Sequence, residues 1–188
     1  MPCGISRERA LELIGEYIKN DNMLKHSLAS EAVLRAIAGR LGEDELKWAM
    51  AGLLHDLDVE ITAEDLSDHG LKTAEILRRE GVDEDIVEAI RLHNEVAHHD
   101  KRSLPFHHAL AAGETITGLI TATTLVYPDR KLAGVKPKSI VKRMKEKAFA
   151  ASVNRDIIRE CELIDIPLAE FAELSLGAMQ SVSDELGL

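Results

Sequence analysis

An all-α fold follows from three observations on this chain of 188 residues. Apolar residues make up 45% of it and aromatics only 3%, a balance that suits packed helices better than β-sandwich strands. Ala and Leu, both strong helix formers, recur throughout while proline is held to five positions. Glycines fall where helical patterns stop, at Gly42 and Gly81. At this length the chain can bury a substantial core as one domain.

Each element has its own warrant. From Ser6 to Lys19 charged and apolar residues alternate at helical spacing, and the next pattern runs from Met23 to Leu41. On that second helix His26 shares a face with Ala29, Val33 and Ile37, so it points inward. A third pattern, Glu43 to Leu57, carries Trp48, Ala51 and His55 on one stripe and Ala49, Gly52, Leu53 and Asp56 on its neighbour. Gly52 costs a helix about 1 kcal/mol relative to Ala, which close backbone packing would explain. Helices from His69 to Glu80 and Asp83 to His93 follow, the latter with Ile86, Ala89, Ile90 and His93 on its inner stripe. After a His-rich loop, Asn94 to Leu104, a long helix is expected from Pro105 to Val126. Pro128, Gly134 and Pro137 interrupt the pattern, and further helices are expected from Lys138 to Ala148, Asn154 to Glu162 and Pro167 to Leu186. There is no internal repeat.

The opening MPCGISRER leads into charged and apolar alternation and has no secretory apolar core, and no segment approaches a membrane span. Cys3 and Cys161 are too few for a disulfide framework or a Cys-rich zinc site, so a reduced, cytoplasmic setting and two ordinary thiols are expected. The net charge of −10 argues against duplex nucleic acid as a partner. Charge is uneven, however: between Asp129 and Lys147 eight basic residues face two acidic ones, a local patch suited to a small phosphorylated ligand.

The most informative pair is His55-Asp56, which directly follows the uncharged run AMAGLL. An ionised carboxylate entering an apolar interior costs several kcal/mol unless a cation or donor meets it. A second isolated carboxylate is Glu114, the one charge in ALAAGETITGLITATTLV. Taken singly, an inward histidine is more often a hydrogen-bonded core residue, and a lone Glu can pair with Arg or stay protonated. Taken together, the inward His26 and His93, the adjacent His55-Asp56 pair and the isolated Glu114, on four separate helices, point to a metal ion. Their mixed nitrogen and oxygen donors suit Fe, Mn, Zn, Ni or Co without choosing among them.

The order His26, then His55-Asp56, then a late carboxylate resembles the HD superfamily of metal-dependent phosphohydrolases. More narrowly, LLHDLDVE followed by DHGLKTAEILRREGVDEDIVEAIRLHNE is similar to small bacterial HDIG-domain hydrolases, and KSIVKRMKEKAFAASVNRDII and AEFAELSLGAMQSV extend the likeness over nearly the whole chain. The resemblance implies one HD-like domain over residues 1–188, with a core of at least five helices at about 23–126 and a helical extension at about 137–188. It implies a metal held by His26, His55, Asp56 and Glu114, and a second ion at His69 and His93, with His98 or His99 as further candidates. At the late position the family ordinarily has Asp, in a context like ALxAxDELTG, where this chain has Glu114.

The activity so implied is hydrolysis of a nucleotide or another small phosphate ester by a metal-activated water. Asp56 would be a ligand, and Asp58 a proton acceptor or a residue orienting a ligand. Lys72, at an expected helix N-terminus one turn from His69, is the first choice for binding phosphate, followed by Lys138, Lys142, Asn154 and Arg155. His107 and His108 are expected to be structural. Two alternatives stand beside this reading: a catalytically weak or inactive module sensing a phosphorylated ligand, and a diiron oxygenase on the same scaffold. A homodimer is compatible with either, and no membrane contact is expected.

Overall fold

Polar side chains set the start of the first three helices. Ser6 accepts the Arg9 N–H at the head of α1 (Arg7–Tyr17), Asn20 accepts the Asn22 N–H at α2 (Asp21–Leu41), and Asp44 accepts those of Leu46 and Lys47 at α3 (Glu45–Leu54). Each such cap satisfies a donor the helix cannot, worth about 1 kcal/mol. Gly42 ends α2 with φ +75°, a left-handed conformation that glycine adopts without strain. The structure, a computed structural model, describes residues 2–62 and 65–188. Met1 lies outside the described residues.

The later elements are α4 (Leu71–Glu80), α5 (Glu84–His93), α6 (Pro105–Leu125), α7 (Pro137–Arg143), α8 (Arg155–Ile158), α9 (Leu168–Ser181) and α10 (Ser183–Leu186). Among the described residues there is no strand, and the fold is all-α. Among the described residues no helix is long and apolar enough to cross a membrane.

Helix α2 lies at the centre, against α3, α6 and α9. Two glycines permit this closeness. A Cβ on Gly52 would stand 2.5 Å from the Ser30 carbonyl oxygen, and one on Gly113 would stand 2.7 Å from a Leu34 methyl. The close packing expected at Gly52 is therefore present. Leu34, Ile37, Leu53, Leu54, Ile86, Ile90, Leu110 and Phe171 are fully buried around this axis. Their removal from water is the main stabilising term.

Several helices end earlier than their patterns suggest. Helix α3 stops at Leu54 because the Asp58 N–H donates to Thr73 Oγ1 (3.0 Å) and so leaves the helical ladder. His55 and Asp56 thus stand in the turn just after the helix. His69 precedes α4, whose N-cap is Gly70 at φ +88°. The expected helix from Lys138 to Ala148 is the shorter α7, and Asn154 to Glu162 resolves into α8 followed by 3-10 turns over Arg159–Ile164. The last helix is divided at Val182 into α9 and α10.

Candidate metal centre

Three helix ends and two positions within helices deliver the site. His26 comes from α2, His55 and Asp56 from the turn after α3, His69 from just before α4, His93 from the last residue of α5, and Glu114 from the middle of α6. His55 is fully buried, Asp56 and His93 nearly so, and His26, His69 and Glu114 reach the surface with a small part of their side chains.

The Asp56 carboxylate lies between two pairs of histidines. Its Oδ2 is 3.3 Å from His55 Nε2 and 3.5 Å from His26 Nε2. Its Oδ1 is 3.3 Å from His69 Nε2 and 3.5 Å from His93 Nε2. Glu114 closes the first group, with Oε2 3.8 Å from His26 Nε2. His26, His55 and Glu114 form one set spaced to hold a cation, and Asp56, His69 and His93 form a second.

Each imidazole is fixed from behind. His55 Nδ1 donates to the Gly52 carbonyl (2.8 Å), and His93 Nδ1 to that of Ile90 (2.6 Å). His69 Nδ1 donates to Asp58 Oδ1 (2.8 Å). The Thr117 hydroxyl donates to the Glu114 carbonyl (2.7 Å) and therefore accepts from His26 Nδ1 (2.9 Å). With Nδ1 as the donor in each ring, Nε2 of the neutral imidazole offers its lone pair to the interior. Two such nitrogens face each other at 3.1 Å in His26 and His55, and again in His69 and His93. Lone pairs repel at that distance unless a proton or a metal cation lies within reach of both, and the donor set of each group fits a divalent ion.

The electrostatics agree. Burial opposes charge on His69, yet hydrogen bonds to Asp56 and Asp58 outweigh it and push the metal-free imidazole up to about 10. Burial would raise Asp56, but His55, His69 and His93 hold it well below the usual carboxylate range. His26 is lowered, first by burial and then by His55. A field that draws a proton onto His69 also draws a metal cation.

Asp58 is fully buried. Its Oδ1 holds His69 while Oδ2 accepts the N–H groups of Gly70 (2.8 Å) and Thr73 (2.9 Å), so it caps α4 from another segment. Both oxygens thus accept protein donors, and Asp58 orients His69.

The centre floors a cleft of about 450 Å³, walled by Leu66, Asn94, Thr115, Gly118 and residues 152–154. Asn154 lines it while its Oδ1 caps α8. The other expected phosphate binders do not line it. Lys72 pairs at 3.0 Å with Asp68 in the turn before its helix, and Lys138 and Lys142 are exposed on α7, which packs on α6 and α9. The Arg155 guanidinium donates to the carbonyls of Phe149, Ala150 and Val153, and so shapes the loop that presents Asn154. His98 and His99 lie apart from the centre, in a separate recess with His108, which donates to Glu160. His107 Nδ1 accepts N–H groups at the head of α6.

Thr117 and Asn94 carried no signal in the sequence. Asn94 donates to the carbonyls of Leu66 (2.7 Å) and His69 (3.0 Å) and ties the His69 segment to the end of α5. Thr117 sits one turn beyond Glu114, a spacing that becomes meaningful only once His26 is known to face it.

The HD domain model matches residues 23–124, more than half of the chain and all six residues of the centre. Similar curated proteins include ribonuclease Y of Nitratidesulfovibrio vulgaris (strain DP4), 38% identical over 76 residues, which is 40% of this chain and 15% of that protein. Ribonuclease Y of Mycoplasma mycoides is 39% identical over 74 residues, 39% of this chain and 18% of that protein. The chain thus spans less than a fifth of the length of these relatives. No solved structure matches it. The chain belongs to the HD domain family, a superfamily of metal-dependent phosphohydrolases.

Proposed function

We propose that the protein is a metal-dependent phosphohydrolase of the HDIG type, acting on a nucleotide or another small phosphate ester. One observation carries this reading: Asp56 turns one oxygen to each of two histidine pairs whose free lone pairs converge at the floor of an open cleft. Bound divalent ions there would supply Lewis acidity and a water of lowered pKa. The protein's own groups do the rest. Asp58 and Thr117 hold His69 and His26 in register. Asn154, with its amide nitrogen uncommitted, stands on the wall where a phosphoryl oxygen would rest.

One observation favours the second reading, a sensing module. No Lys or Arg is among the residues lining the cleft, so a phosphate there would be neutralised by metal alone. The test is phosphate release from nucleoside mono-, di- and triphosphates and dinucleotides with Mn, Fe, Co, Ni or Mg, alongside elemental analysis. Metal-dependent release that disappears in Asp56→Ala supports hydrolysis. Metal retention with ligand-induced stabilisation but no turnover supports sensing, and oxygen consumption by a reduced diiron form supports an oxygenase.

A further inference from the structure

A second recess adjoins the metal cleft and is chemically unlike it. It has a volume of about 650 Å³ and lies between α2, α6 and the chain segment 186–188. Its walls are mainly apolar: Met23, Ala29, Ala122, Leu125, Leu186 and Leu188. Its polar content is small and electrically balanced, because Lys25 at its rim pairs with Asp21 at 2.7 Å. Asn22 and Thr121 also face it, and their side chains make no hydrogen bond among the described residues.

The two spaces meet at His26 and Gly118, which line both. Gly118 lies in the interior of α6, where glycine costs about 1 kcal/mol relative to Ala. A Cβ here would touch Val153 Cγ2 at 3.4 Å, so the Val153 side chain, and no side chain of α6 at this position, stands over the boundary between the metal cleft and the apolar recess. Because His26 lines both spaces, a group bound through its phosphate at the centre would lie beside the recess on the His26 side.

We propose that this recess binds the alcohol half of the phosphoester, and that this half is an uncharged, mainly apolar group, aryl or alkyl, with at most a few hydrogen-bonding positions to meet Asn22 and Thr121. The inference rests on the phosphohydrolase reading and narrows its substrate class. A mostly apolar pocket of this size with a few placed polar groups is the usual form of a small-molecule site. The metal cleft points the same way. Without a lysine or arginine on its walls it suits an ester of low charge better than a polyphosphate.

The test compares two hydrolysis-resistant probes, 2-naphthylmethylphosphonate and methylphosphonate, titrated calorimetrically into the Mn-reconstituted protein, with 2-naphthol as a third probe lacking the phosphorus. The naphthyl phosphonate is expected to bind at least tenfold tighter than methylphosphonate. Ala122→Phe, which fills the recess, should remove most of that preference. Leu125→Lys acts at the mouth, at a residue already 49% exposed, and should do the same without burdening folding. Equal affinity for the two phosphonates, as when a second copy of the chain covers the recess, would overturn the inference, and so would a preference that survives both variants. Loss of metal together with methylphosphonate binding would instead sink the phosphohydrolase reading. In that case 2-naphthol binding that Ala122→Phe abolishes would still mark the recess as an apolar ligand site, and no naphthol binding would overturn the inference as well.

Discussion

Asp56 contributes one oxygen to each histidine pair, so its removal should not be local. Asp56→Ala is expected to lose both ions, whereas His93→Ala should weaken the second and spare the first; elemental analysis of each variant checks this. Asp58→Ala frees His69 and uncaps α4, and should weaken metal affinity by roughly 10–100-fold, read by competition with a fluorescent chelator. Proton linkage gives a further expectation. In the metal-free protein the charge on His69 stabilises the fold fully below its ordinary pKa of 6.5, and that contribution is lost as pH rises through about 10. Metal must displace this proton, so affinity should rise with pH over the same window. Calorimetry at pH 7 in buffers of different ionisation enthalpy should show proton release on metal binding. Heats that do not depend on the buffer would contradict it.

At the scale of elements, close approach of α2 and α3 brings His26 and His55 together, and Gly52 sets that approach. Gly52→Ala must shift the Ser30 backbone, and is expected to destabilise by about 1–3 kcal/mol in denaturant unfolding. Gly15→Ala, where a Cβ meets nothing within 4 Å, should stabilise instead. Periodicity made these helices and the inward histidines legible, because a residue's face follows from spacing alone. The turn after α3 was not legible, since it depends on Asp58 reaching Thr73 across the fold. Nor did the basic stretch reveal its direction. Lys138 and Lys142 face solvent, and Arg155 turns to backbone carbonyls, because charge counts carry no geometry. Thr117 and Asn94 acquire their roles only through partners far away in the chain.

For the whole molecule, the centre joins α2, α3, α5, α6 and the segment before α4, so bound metal ties together most of the matched HD region. Chelation should therefore lower the melting temperature, and restoring Mn should reverse this. The two thiols provide a probe of core integrity. Both are buried, and burial pushes Cys161 up to about 12. Neither should react with a thiol reagent at pH 8 until the protein is unfolded.

Anomalous diffraction from crystals of the Mn-reconstituted protein would locate the ions on either side of Asp56. Two anomalous peaks are expected, one among His26, His55 and Glu114 and one between His69 and His93, on opposite sides of the Asp56 carboxylate. No peak within ligand distance of Asp56 would contradict this arrangement.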